Sequence, residues 1–181
     1  MKTMLIYLFT FLTLFACKND DDQPVEAPPI TAENTFSCKI DGELFIPEDY
    51  ASFPNNFDAY NVFFIEANSS WFSLFLNEER SIHIYIHDLI NVGTYTIGDA
   101  DGNNNFTDET TTVIEFSENQ SLEPTHISTS ASGTIEVLEL EFGRRIIFKF
   151  DEIVLQRIGD PSDIITLTDG KANFNLDTFN N

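Results

Sequence analysis

The sequence predicts an all-β fold, an antiparallel β-sandwich or flattened β-barrel of about ten strands, occupying residues 34–181 as a single domain. Three observations predict it. From Asn34 onward apolar and polar residues alternate, the period of a strand, and helical spacing is missing. The alternating runs are rich in Phe, Ile, Thr and Val, side chains that fit a pleated surface. Clusters of Gly, Asn and Asp part the runs at close intervals, as hairpin-connected sheets require.

Phe36–Ile40 alternates and meets Asp41-Gly42, a pair favoured in two-residue hairpins because both positions need positive φ. Glu43–Ile46 returns, and Pro47, which has no N–H to give a ladder, ends it. Asp49–Tyr60 reads as a loop with aromatic plugs. Val62–Ala67 and Trp71–Leu76 are strands parted by Asn68-Ser69-Ser70, and Asn77-Glu78-Glu79-Arg80 turns the chain into Ser81–His87. A short strand lies between Gly93 and Gly98, followed by Thr110–Phe116, His126–Ala131 and Thr134–Phe142. In the last of these, Ile135 and Val137 share one face, while Leu138, Leu140 and Phe142 share the other. That switch at Val137-Leu138 predicts a bulge or a change of sheet. Gly143-Arg144 turns into Arg145–Leu155, and Ile164–Thr168, an Asp169-Gly170 turn and Ala172–Leu176 close the series.

The 181 residues carry 30 Asp and Glu against 9 Lys and Arg, a net charge of −21. Residues 34–181 hold 25 of those acids and seven of the bases, so the charge coats the domain. Nucleic acid and anionic lipid surfaces are excluded as partners, because both are bound through clustered Lys and Arg. At 42% hydrophobic residues the chain is not disordered. A domain of this length buries about 70% of its unfolded surface, so its core needs no disulfide.

Residues 1–16 read as an export signal. Lys2 makes the start positive, and Met4–Phe15 is uncharged but shorter than the ~20 residues that span a bilayer. The run ends in Leu14-Phe15-Ala16-Cys17, which resembles the lipobox of bacterial lipoproteins. The resemblance implies cleavage before Cys17, a diacylglycerol on its sulfur and an acyl chain on its amine. At ~0.8 kcal/mol per buried methylene, such chains together hold a domain at a membrane. Lys18, Asn19, Asp20, Asp21 and Asp22 resemble the acidic surface-export signal of Bacteroidota lipoproteins. This implies an outer-membrane, lipid-anchored protein facing the cell exterior. Residues 17–33, rich in Pro and acids, read as a disordered tether.

Several phrases together resemble small flavobacterial surface lipoproteins of unknown function. They are Phe36 to Phe45 with its Lys39-Ile40-Asp41-Gly42 centre, Gly93-Thr94-Tyr95-Thr96-Ile97, Gly133-Thr134-Ile135-Glu136-Val137 and Ile165 to Phe174. In place of the Gly-Thr-Phe step frequent before the penultimate strand of such domains stands Arg145-Ile146-Ile147-Phe148. The resemblance implies an exported all-β domain and brings no activity.

With Cys17 lipidated, Cys38 is alone and shares a face with Phe36 and Ile40, the setting of a buried structural thiol. His83-Ile84-Tyr85-Ile86-His87 places both histidines on one strand face, ~13 Å apart, too far for one metal. It reads as a half-exposed polar face opposite Ile82, Ile84 and Ile86. Asp99, Asp101, Asn103 and Asn105 supply oxygen ligands at alternate positions, as calcium loops do. An EF-hand fails, because Asn104 and Thr110 stand where Gly and Glu belong. A non-EF calcium site competes there with an ordinary Gly/Asn-rich hairpin loop. Ser128, Ser130 and Ser132 near His126 read as surface neighbours on a strand, and carboxylate pairs such as Glu78-Glu79 are expected by chance in so acidic a chain. The stretch around Tyr50, Phe53, Phe57 and Tyr60, with Trp71, reads as core and loop plugs before it reads as a sugar platform.

The resulting expectation is a lipid-anchored, surface-exposed module that binds a protein or glycan and is not an enzyme. It has no cofactor other than the calcium considered above. The alternative is a lipocalin-like barrel carrying a small apolar ligand, and a weaker one is a glycan-active enzyme. Calcium at Asp99–Asn105 predicts that a chelator lowers the melting temperature of the intact chain. A melting curve that does not move with chelator rejects that loop.

Overall fold

The computed structural model describes residues 25–48, 50–52, 55–57, 60–65, 69–75, 80–103, 106, 109–118 and 123–178. Its strands run β1 (Thr35–Ile40), β2 (Glu43–Phe45), β3 (Tyr50–Ser52), β4 (Asn55–Phe57), β5 (Tyr60–Ile65), β6 (Ser69–Phe75) and β7 (Ser81–Ile86). They continue as β8 (Gly93–Thr96), β9 (Val113–Ser117), β10 (His126–Ile127), β11 (Thr134–Glu141), β12 (Arg145–Arg157) and β13 (Asp160–Asn175). The all-β antiparallel fold is therefore as expected, in its curled, barrel-like form. One sheet follows the order β2-β1-β13-β12-β10-β9-β7-β6-β5, with β11 and β8 branching from β12. It curls until its arms meet: β12, β10, β9 and β7 separate β6 from β13 along the sheet. Even so, the Phe72 ring of β6 stacks on Phe174 of β13 at 5.6 Å and packs on Phe148 at 5.2 Å.

The alternation explains the core. Phe36, Phe72, Phe116, Phe148 and Phe174 are fully buried on the concave face, with Ile82, Ile84 and Ile86 of β7 beside them. Each ring buried this way is worth roughly 2–3 kcal/mol of transfer free energy. The Asp41-Gly42 hairpin forms as read, with φ of 49° and 86° at its two central residues, the type I′ geometry that matches strand twist. The bulge predicted at Val137-Leu138 is present: the pairing of β11 with β12 slips between Val137 and Glu139. Leu138 is left exposed while Ile135 and Val137 stay buried.

Three readings of the strand series are corrected. Asp169-Gly170 is not a turn, because β13 continues through it. Opposite Ser37–Lys39, β13 carries one extra residue, a bulge with Asp169 at φ 55°. The Asp-Gly pair does supply the positive φ its composition promises, but neighbours on both edges, β1 and β12, hold the strand extended. The true turn is Ile158-Gly159, with Gly159 at φ 84°, so β12 and β13 make one long hairpin. Residues 49–60 contain a small hairpin of β3 on β4. The strand expected at His126–Ala131 is reduced to β10; beyond it the Ser128 N–H still donates to the Ile114 carbonyl of β9, while its hydroxyl bonds Gly98.

β12 is the fork of the sheet. One edge pairs with β13 along its length; the other pairs with β11 through Arg145–Lys149 and with β10 through Gln156 and Arg157. Between them Gly133 bridges Ile153, and a Cβ on Gly133 would stand 2.5 Å from the Glu152 carbonyl oxygen. On the opposite edge the Phe150 ring lies flat on Gly170, where an added Cβ would meet ring carbons at 2.0–2.2 Å. Gly170→Ala is expected to destabilise the protein by about 1–3 kcal/mol, the range of overpacking. Phe150→Leu in the same chain should recover part of that loss. Urea denaturation of the single and double variants checks both.

Candidate functional site

The segment before β1 is bound to the domain. The Ile30 carbonyl accepts from Asn173 Nδ2 at 3.0 Å, the Ala32 N–H donates to the Pro29 carbonyl at 2.9 Å, and the Asn175 N–H donates to Asn34 Oδ1 at 2.9 Å. The last residues of the stretch read as a tether are thus laid against β13. Cys17, Lys18, Asn19, Asp20, Asp21 and Asp22 lie outside the described residues.

Between this segment and the Asp169-Gly170 bulge opens a cavity of about 510 Å³. Ile30 and Leu44 give it apolar walls, and Ser37, Cys38, Phe150 and Gly170 also line it. Its charged residues are Lys39, Lys149, Lys171, Asp151 and Asp169. The strand register arranges them. Ser37 of β1, Lys171 of β13, Lys149 of β12 and Glu136 of β11 are successive cross-strand neighbours. Lys39 donates to Asp169 at 2.7 Å and holds that carboxyl below the usual carboxylate range. Lys149 pairs with Glu136 at 2.9 Å, and this bond keeps its ammonium charged to higher pH than usual. Ser37 has no exposed surface, and its Oγ has no hydrogen-bond partner among the described residues. The Cys38 thiol is free and buried among Phe36, Ile40 and Phe45, as read, and burial pushes its ionisation up, so it is no nucleophile.

Alternation alone puts Lys149 and Lys171 opposite the core residues Phe148, Phe150, Ala172 and Phe174. That they are the lysines of β12 and β13 was legible. Their juxtaposition was not, because it depends on a hairpin turn at Ile158-Gly159 and on the bulge. A smaller cavity of about 270 Å³ lies at the fork, lined by Glu136, Lys149, Asp151 and Glu152 among others.

The other sequence-predicted residues fall elsewhere. The Asp99 carboxylate accepts the Ser130 N–H at 2.7 Å, and that of Asp101 accepts the Asn103 N–H at 3.1 Å and bonds the Asn103 side chain. Glu109 accepts the Asp101 N–H at 3.3 Å, and burial, with the nearby Asp101 charge, raises its carboxyl despite that bond. Asn105 lies outside the described residues. Among the described residues no three His, Cys, Asp or Glu side chains converge as ligands. Ser128 and Ser132 are buried, not surface neighbours of His126. Ser128 Oγ donates to the Gly98 carbonyl at 2.9 Å and accepts the Ile114 N–H at 3.0 Å, while Ser132 Oγ donates to the Val154 carbonyl at 2.5 Å.

The polar face of β7 is buried as well, which corrects the half-exposed reading. Ala100 and Phe106 cover it: Phe106 stacks on Tyr85 at 5.6 Å, with Val113 and Ile127 completing a second small core. His83 is 4% exposed, bonds Ser81 Oγ through Nε2 at 3.0 Å and stands opposite the fully buried Glu115. Alternation gives the face but not what covers it. His83 and His87 remain apart, the latter's Nδ1 lying 3.3 Å from the Tyr85 hydroxyl.

Comparison with protein-family models, with curated proteins and with solved structures gives no match.

Burial lowers the pKa of His83 from 6.5 to about 4. Unfolding therefore takes up a proton in that window. The stabilisation is complete above pH 6.5, falls as the pH drops toward 4, and amounts to roughly 3 kcal/mol in full. His126, also lowered by burial and by the nearby Arg157, adds in the same direction. Urea denaturation at pH 7 and pH 4.5 should show a smaller loss in His83→Gln than in the unaltered chain. Equal losses would exclude His83 as a source of acid sensitivity.

Proposed function

We propose that this protein is a lipid-anchored, surface-exposed binding module without catalysis of its own. The lipobox-like Leu14-Phe15-Ala16-Cys17 and the Asp run at Asp20–Asp22 support the anchor and the outward address. The observation that carries the binding role is the 510 Å³ cavity on the outer side of the sheet, flanked by Ala27 and Ile30 of the anchor-side segment. Its size is that of small-molecule sites, and its lining sets the apolar Ile30 and Leu44 beside the charged Lys39, Lys149, Lys171, Asp151 and Asp169. The concave face favours no carrier: there Phe72, Phe148 and Phe174 are in mutual contact at 5.2–6.5 Å, where a lipocalin-like barrel needs a chamber.

Cys17→Ala should move the protein from the membrane fraction to the soluble one. Unchanged fractionation would refute the anchor. Replacing Asp20, Asp21 and Asp22 by Ala should protect the protein from protease added to intact cells, while the unaltered chain is shaved.

A further inference from the structure

We infer that the cavity over the Asp169-Gly170 bulge binds a small organic acid with one carboxylate, its charge taken by Lys171 and the Ser37 hydroxyl and its body lying on Ile30 and Leu44. The inference rests on the binding-module reading and specifies its ligand.

Four observations carry it. First, Lys39, Lys149 and Lys171 are all the lysines of residues 34–181, a region of net charge −18, and all three line this one cavity. Second, Lys149 and Lys171 are directly opposed on β12 and β13. Like charges so placed destabilise a sheet, and a bound anion removes that penalty. Lys149 is balanced by Glu136, whereas Lys171 makes no ion pair among the described residues. Third, Ser37 is the cross-strand neighbour of Lys171 on the other side, and its buried hydroxyl has no partner among the described residues. A buried hydroxyl left unmade costs about 1–3 kcal/mol, which an acceptor entering the cavity relieves. Fourth, Asp151 and Asp169 stand in the same lining, so a second negative charge on the ligand is repelled. That selects a carboxylate over a doubly charged phosphate ester. The lining has no arginine, so recognition is by charge and not by a planar two-pronged contact.

The domain's overall negative charge does not oppose this. Fields are screened within about 8 Å at physiological salt, so a small anion inside the cavity meets the lysines, while an extended anionic surface meets the whole domain.

The test is calorimetric titration of the full chain in detergent with glucuronate, glucose and inorganic phosphate. Glucuronate should bind saturably, more weakly as salt rises, and more tightly than phosphate; glucose should give no heat. Lys171→Gln should weaken glucuronate about tenfold or more, the loss of a charge-assisted hydrogen bond, and Ser37→Ala by a smaller factor. Arg144→Gln, a charge change away from the cavity, should leave it unchanged. Without ligand, Lys171→Gln should melt no lower than the unaltered chain, since it removes a like-charge contact. Equal binding of glucose, tighter binding of phosphate, absence of glucuronate binding, or a Lys171→Gln variant that binds normally would each overturn the inference. Any of these with Cys17-dependent fractionation intact strikes the ligand assignment and leaves the anchored module standing. Fractionation that ignores Cys17 strikes that reading instead.

Discussion

The structure depends on the hairpin of β12 and β13 and on the kink halfway along it. Two strands this long cannot stay flat against a curled sheet. They bend where Asp151 and Glu152 are both exposed and where β13 carries its extra residue at Asp169. The bend holds because the Phe150 ring occupies the place a side chain at position 170 would need. From it follow the fork, which sends β11 and β8 one way and β10 to β5 the other, and the curl that brings Phe72 onto Phe148 and Phe174. Both cavities flank it and share Lys149, Phe150 and Asp151. A bulge re-aims side chains and loosens close pairing, so this irregular stretch of the hairpin is also where the sheet surface opens.

The sheet is covered on more than one side. Its concave face is closed by rings, and part of its outer face by Ala100 and Phe106 and another part by the segment before β1. Polar side chains fasten both covers. Ser128 ties β9 to Gly98, Ser132 ties the turn after β10 to β12, and Asn173 ties β13 to Ile30. The serines that might have been taken for nucleophiles are stitches between backbone segments, each hydroxyl satisfying a carbonyl or N–H that no strand neighbour reaches.

What the residues disclosed in advance follows from the range of each interaction. Period-2 alternation is local, so the strands, the burial of Cys38 with Phe36, the type I′ turn at Asp41-Gly42 and the face switch at Leu138 were all readable. Asp169-Gly170 misled because the same dipeptide serves a hairpin turn and a bulge, and only the two flanking strands decide between them. Ile158-Gly159 went unread because an apolar residue before a lone glycine is a weak turn signal beside Asp-Gly. The exposure expected for His83 failed for a related reason: alternation reports two faces and is silent on whether a distant loop covers the second. The lysine cavity was out of reach altogether, since Ser37, Lys149 and Lys171 meet only through register.

The pairing of β1 with β13 has a consequence in time. Thr35 lies opposite Asn173 and Ile40 opposite Leu167, so one of the first strands of the domain has its longest partnership with the last. Until residues 167–173 have left the ribosome, β1 can form only its short hairpin with β2, and the sheet lacks the strand that joins that hairpin to β12. Closing a loop that spans nearly the whole domain is slow compared with making local hairpins. A chain built this way can make its local hairpins early, but its sheet closes only once its two ends meet.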